Sequence, residues 1–294
     1  MKKFARSLMG LSLLVACSWI TAARAQSQDN SPTPQVLQIT REYTKPGKAG
    51  MVHDKSESAF VQAMARAKWP THYVGMTSLS GKQRALFLTQ YPSLEAWEKD
   101  NTATAGNAAL SAALDRAGMA DGELLDSMDS GVFIYHDEMS LRSVTDVSHM
   151  RYLEISSYNV RPGHDAEWNE VVKMVKAAYE KAEPEQHWAM YELVYGGEGG
   201  RFLVLTARKS LAEIDRGFQE DKQFQAALGE NGMKKLLELY GAAVESSDHQ
   251  LFAFNPHMSY VEDAWIKADP DFWKPKPEAA PAAKSATTEK KSNP

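Results

Sequence analysis

Val36-Leu37-Gln38-Ile39-Thr40-Arg41-Glu42-Tyr43-Thr44-Lys45-Pro46-Gly47 returns in altered form as Tyr152-Leu153-Glu154-Ile155-Ser156-Ser157-Tyr158-Asn159-Val160-Arg161-Pro162-Gly163, with the two prolines 116 residues apart. In both stretches an alternating apolar segment, the mark of a strand, runs into a basic-Pro-Gly turn and then an amphipathic stretch. More matches follow in the same order. His72-Tyr73 pairs with His187-Trp188, and the segment from Arg84 to Thr89 pairs with that from Arg201 to Thr206. Ser93-Leu94 pairs with Ser210-Leu211, the segment from Val132 to Tyr135 with that from Leu251 to Phe254, and Met139-Ser140 with Met258-Ser259. The offset stays between 115 and 119 throughout, and chance does not keep such an order. The chain is a tandem duplication.

Each copy reads strand, helix, strand, strand, helix, strand. In the second copy Trp168, Val171, Val172, Val175 and Tyr179 recur at helical spacing and form one apolar stripe. Val52, Ala59, Phe60, Ala63 and Met64 do the same more weakly in the first copy. Ser80-Gly81-Lys82 and the run Gly196-Gly197-Glu198-Gly199-Gly200 read as hairpin turns. Ser210 and Glu213 have capping-box spacing, which opens the second helix. The stretches before the last strands are helical but irregular at Gly106, Gly118, Gly122, Gly229 and Gly232. A βαββαβ unit makes a ferredoxin-like sheet with helices on one face and leaves the other face bare. Two such units in one chain can cover each other. The expected fold class is α+β: two tandem ferredoxin-like βαββαβ repeats pairing sheet-to-sheet as an intrachain α/β barrel. The expected segments are residues 1–25 as signal peptide, 26–34 as polar lead-in, 35–145 and 146–273 as the repeats, and 274–294 as a disordered Pro/Ala/Lys tail.

The order of elements, the basic-Pro-Gly turn and the pairing of two units resemble the dimeric α/β-barrel superfamily. That group includes the antibiotic-biosynthesis-monooxygenase-like domains. The resemblance runs from Val36 to Ser259. It implies a barrel cavity, used variously by cofactor-free oxygenases, haem enzymes, isomerases and domains of no known chemistry. No catalytic signature of any one branch is present, so no catalytic residue carries over.

The N-terminus reads as an export signal. Lys2, Lys3 and Arg6 precede a short apolar run, and Ala23-Arg24-Ala25 offers a cleavage pattern that leaves Gln26 first. The rival reading is a lipoprotein anchored at Cys17, after Leu14-Val15-Ala16; against it, Trp19 and Ile20 continue the apolar run past the cysteine. Cys17 is the sole cysteine, so cleavage after Ala25 leaves no disulfide, thiolate metal site or cysteine nucleophile. Processing also removes four of the 33 basic residues, leaving 29 against 38 acidic and a net charge of −9. An acidic chain without a basic stripe argues against nucleic acid as a partner. No segment reads as a stable membrane span, and the protein is expected to be periplasmic or secreted.

Strand alternation gives the expected cavity residues. Leu37, Ile39, Leu153 and Ile155 are assigned to the helix side. Their alternates Gln38, Thr40 and Glu42, with Tyr152, Glu154, Ser156 and Tyr158, are assigned to the barrel interior. Tyr73, Trp188 and Tyr191 join them as aromatic walls for a flat organic ligand, unless they are plain core. An inward Glu154 could act as a general base, though a partner Arg or Lys would remove that role. His72 and His187 sit at matched strand entrances, where an imidazole can move protons or bond a backbone carbonyl. No metal site is expected: His136-Asp137-Glu138 lacks spaced partners and meets Asn255 and His257 in the second copy. No cofactor is expected either, although a b-type haem on one histidine stays open. The leading functional reading is binding of a small, apolar or aromatic ligand between the repeats. Its rivals are a cofactor-free oxygenase or isomerase, and an interaction module whose barrel is packed solid. The protein would be a monomer with an internal pseudo-dimer, or a higher oligomer.

Overall fold

The computed structural model describes residues 34–143, 146–182 and 185–274. The signal peptide with Cys17, nearly all of the lead-in and the tail from residue 275 lie outside the described residues. The first repeat runs β1 (Val36–Thr44), α1 (Met51–Ala67), β2 (Tyr73–Ser78), β3 (Arg84–Tyr91), α2 (Leu94–Gly106), α3 (Ala108–Gly122) and β4 (Leu125–Tyr135). The second runs β5 (Tyr152–Val160), α4 (Asp165–Ala182), β6 (Ala189–Tyr195), β7 (Arg201–Arg208), α5 (Leu211–Ala243) and β8 (Val244–Phe254). Two short helices, α6 (Asp263–Ala268) and α7 (Pro270–Trp273), follow. The glycines act where the sequence places irregularity. Gly106 ends α2, and Gly229 at φ 67° bends α5. Ser93 caps α2 by accepting the Ala96 N–H at 3.1 Å. The expected box does not form: Glu213 accepts the N–H of Lys209, one residue before the cap, at 3.0 Å, and the Ser210 side chain caps nothing.

The eight strands close into one antiparallel barrel in the order β1-β3-β2-β8-β5-β7-β6-β4. Each repeat contributes four neighbouring strands, and the seams are β2 with β8 and β4 with β6. The fold is therefore the ferredoxin-like α/β barrel, with both halves in one chain. Among the described residues no helix is long and apolar enough to cross a membrane.

The interior reverses the facing expected from alternation. Leu37, Ile39, Leu153 and Ile155 belong to one buried cluster with Met76, Leu86, Phe133, Tyr191, Leu203 and Phe252, which together represent all eight strands. Those side chains fill the barrel. Gln38, Thr40, Glu42, Tyr152, Glu154, Ser156 and Tyr158 therefore point outward, toward the helix layer. The physical reason is closure. A ring of eight strands shuts water out of its centre more completely than a few helices shut it off the outer surface. The more apolar of the two alternating sets accordingly goes inside.

The outer layers of the repeats differ. Under α4 and α5 lies an apolar core that includes Trp168, Val171, Val172, Trp188, Phe202 and Leu236. Under α1 the buried residues are His53, Glu57 and Ala63, while Val52 and Ala59 face out. The buried positions of α1 thus run 53, 57 and 63 and start with two polar groups.

The facing of β1 can be tested by stability. Ile39→Ala removes a side chain that is 2 % exposed and should cost about 2–5 kcal/mol in urea unfolding. Thr40→Ala, one residue on and half-buried, should stay within about 0.5 kcal/mol. The opposite order would restore the original facing.

Candidate functional site

The barrel is filled at its middle but hollow toward the end where β1 and β5 begin. There a cavity of about 480 Å³ opens between the two repeats. Its floor is apolar and comes from both halves: Val74 and Leu88 from the first, with Leu153, Leu205, Ala207 and Phe254 from the second. Pro34, Val147, Val261 and Trp265 close its rim. The rim exists because the chain does not stop at β8. It folds back through α6 and α7, where Trp273 is buried and its indole N–H donates to the Ser148 carbonyl at 2.7 Å.

Three of the ten expected ligand-lining residues border this cavity: Tyr73, Trp188 and Tyr191. Tyr191 points fully inward, and burial, then the neighbouring Tyr135, raise its phenol above the ordinary value. Trp188 donates its indole N–H to the Met139 carbonyl at 2.9 Å. The other seven are on the outer face. Glu154 is among them and pairs with Arg208 at 2.5 Å, so it is removed from the cavity and tied to a cation. Tyr158 packs on Trp168 with ring centroids 5.3 Å apart.

Both candidate histidines line the cavity. His187 faces the Glu185 carbonyl at 3.1 Å and the Ala207 carbonyl at 3.0 Å, one with each ring nitrogen. That engages the ring as a strand-entrance clamp. His72 stacks on Tyr260 at 4.7 Å, and among the described residues its nitrogens carry no hydrogen bond. It is therefore the lining imidazole free to meet a ligand. For a haem, His72 could bind the iron, but among the described residues no lysine or arginine lines the cavity to meet the propionates.

A second constellation lies on the outer face of the first repeat, and the sequence reading missed it. Glu42 of β1, His53 and Glu57 of α1 and Asp121 of α3 are 8 %, 2 %, 3 % and 2 % exposed. His53 Nε2 lies 3.2 Å from Glu42 Oε2, 3.4 Å from Asp121 Oδ1 and 3.8 Å from Glu57 Oε1. All four atoms lie within 4.8 Å of one another. None of the four has a partner aligned as a hydrogen bond, and the hydroxyl of Tyr73 is likewise unpartnered. Burial alone would lower His53, but Asp121 and Glu42 outweigh it and push the imidazole up to about 10. Burial, then the charges of Glu42 and Asp121, push Glu57 up to about 9. Burial also works to raise Asp121, yet His53 and Ser56 outweigh it and hold this carboxyl below its usual range. Four donors of this kind could hold a metal ion. The signal in the sequence was His53 and Glu57 at i, i+4 on the buried line of α1; Asp121 becomes their neighbour only through α3. By contrast His136, with Glu138 at 3.0 Å and Glu192 at 2.9 Å, is a half-exposed pairing.

No family profile and no curated protein matches this sequence. Solved structures do match in fold. An anthrone oxidase-like protein superposes with a TM-score of 0.50 at 14 % identity, over 79 % of this chain and 95 % of that one. A monooxygenase-like protein of Fusobacterium nucleatum gives 0.49 at 9 % identity, over 76 % and 94 %. A mutant chlorite dismutase of Candidatus Nitrospira defluvii gives 0.44 at 10 % identity, over 80 % and 95 %. At such identities the first of these supports the barrel fold and nothing about chemistry.

Proposed function

We propose that the protein binds a small, largely apolar or aromatic molecule at the open end of its barrel. One observation carries this reading: a cavity of about 480 Å³ with an apolar floor built jointly by the two repeats. That volume falls within the range of sites for small organic ligands. Apolar walls favour the ligand by removing its surface from water, and the few polar groups at the rim orient it. A solidly packed barrel, the interaction-module reading, does not accommodate this space. Leu205→Trp, which puts an indole into the floor, should weaken binding of 1-anilinonaphthalene-8-sulfonate to the full chain at least tenfold by fluorescence titration. Leu237→Ala, at an exposed position on α5, should change nothing. Equal binding by both variants would move the ligand site elsewhere.

The free imidazole of His72 supports a second reading, a cofactor-free oxygenase or isomerase in which this ring takes a proton from the bound molecule. An anthrone is a suitable probe. Wild-type chain should then consume oxygen with it, and His72→Phe should lose roughly 100-fold or more of that rate while still binding the probe. An inert wild-type chain leaves the binding reading alone.

Export is part of the proposal, from the basic start, apolar run and Ala23-Arg24-Ala25 of the N-terminus. Expressed in a Gram-negative host, the mature chain should yield Gln26 first on N-terminal sequencing. A lipid-modified Cys17 in that position would establish the anchored alternative.

A further inference from the structure

The position occupied by Glu42, His53, Glu57 and Asp121 exists twice in the molecule, once in each repeat. The Lys45 N–H bonds the Leu124 carbonyl in the first copy, and the Arg161 N–H bonds the Ala243 carbonyl in the second. Those bonds match β1 to β5 at an offset of 116 and the end of α3 to the end of α5 at 119. On this match Glu42 corresponds to Tyr158 and Asp121 to Tyr240. The 115-residue offset of the histidine pair carries His53 to Trp168 and Glu57 to Val172. Tyr158 contacts both Trp168 and Tyr240, with centroids at 5.3 and 6.4 Å, and Trp168 and Val172 are buried. The second copy thus fills this site with three aromatic rings and a valine. The fold does not require polar groups there.

In the first copy the same space holds three carboxyl groups and an imidazole. Each turns a buried atom without a hydrogen-bond partner toward the others. Gathering ionisable groups away from water opposes folding, and these four leave buried polar atoms facing one another without partners. A cation at their centre would supply one. Bonds of about 2.0–2.2 Å from a common ion place neighbouring ligand atoms roughly 3–3.6 Å apart. Two of the three contacts of His53 Nε2, at 3.2 and 3.4 Å, already have that spacing. Nitrogen with carboxylate oxygen suits divalent ions such as manganese, iron and zinc, and no soft sulfur ligand is present.

We propose that Glu42, His53, Glu57 and Asp121 form a binding site for one divalent first-row transition-metal ion, which pins α1 and α3 to strand β1. With four protein ligands the site is closed, and its role is structural.

The test uses untagged full-length chain, stripped with EDTA, dialysed, and incubated separately with MnCl2 and ZnCl2. Bound metal is counted by inductively coupled plasma mass spectrometry, affinity is measured by calorimetry and stability by thermal melting. At least one of the two ions should bind at one per chain and raise Tm. The paired substitution Glu57→Gln with Asp121→Asn should lower affinity at least about 100-fold, since even the outer-shell partners of metal ligands cost 10–100-fold. In EDTA that variant should melt no lower than wild type, because it removes buried charge; a residue serving only to hold the helices would lower Tm there. Should the pair not fold, Glu42→Gln alone carries the same expected loss of affinity. His136→Ala, which disrupts a separate histidine–carboxylate group with Glu138 and Glu192, should leave the count at one. Wild-type chain that takes up neither ion, or conservative variants that bind as tightly as wild type, would overturn the proposal.

Discussion

Each half of this protein makes a sheet with two bare edges and one bare face, and neither can be left to water. An unpaired strand edge carries a row of free N–H and C=O groups, and an apolar sheet face exposes the surface that drives folding. Both needs are met by the same event. When β2 bonds to β8 and β4 bonds to β6, four edges disappear and the two faces become one interior. The seams are fitted closely. A Cβ on Gly196 would come within 2.2 Å of the Ser130 carbonyl, and one on Gly75 within 2.5 Å of the Met258 carbonyl. Glycine is required where one repeat presses on the other, since any side chain there would separate the seam.

The same closure decides what a ligand could meet. Phe133, Phe252, Met76 and Ile39 fill mid-barrel with buried side chains, and the cavity opens at the end where β1 and β5 begin. The 255–274 segment then folds back over that end with Trp265 and Trp273, whose rings lie 5.3 Å apart. A cavity formed in this way is apolar because it is a continuation of the core.

How much of this was legible follows from the range of each signal. The repeat, the order of elements and the hairpins at Gly81 and Gly196 to Gly200 are local patterns, and the chain states them twice. The facing of the strands was not legible in the same way. Alternation shows that Ile39 and Thr40 point oppositely, but which side is the drier depends on whether the sheet closes. Assigning Leu37 and Ile39 to the helix side chose the wrong face. On α1, Val52 and Ala59 look as apolar as Phe60 and Met64. Only the sheet beneath shows that the line through His53 and Glu57 is the buried one. The long reach from Glu42 to Asp121 has no sequence signal at all, because two elements must pack before these residues become neighbours.

The difference between the copies is therefore more informative than their likeness. Shared features such as the Pro-Gly turns and the strand cores serve the barrel itself, and His187 is engaged by two backbone carbonyls. Departures carry the particular requirements of one half. Tyr158, Trp168 and Tyr240 show that the space beneath the first helix is stable when filled with rings. A first copy that instead keeps four ionisable groups there tolerates a cost its twin avoids. Tyr73 stands between the two unusual regions of the molecule. The residue is among those lining the end cavity, while burial, then the charges of Glu57 and Glu42, raise its phenol. Occupation of the buried cluster would change the field at that hydroxyl, so the cavity and the cluster share Tyr73 as a neighbour.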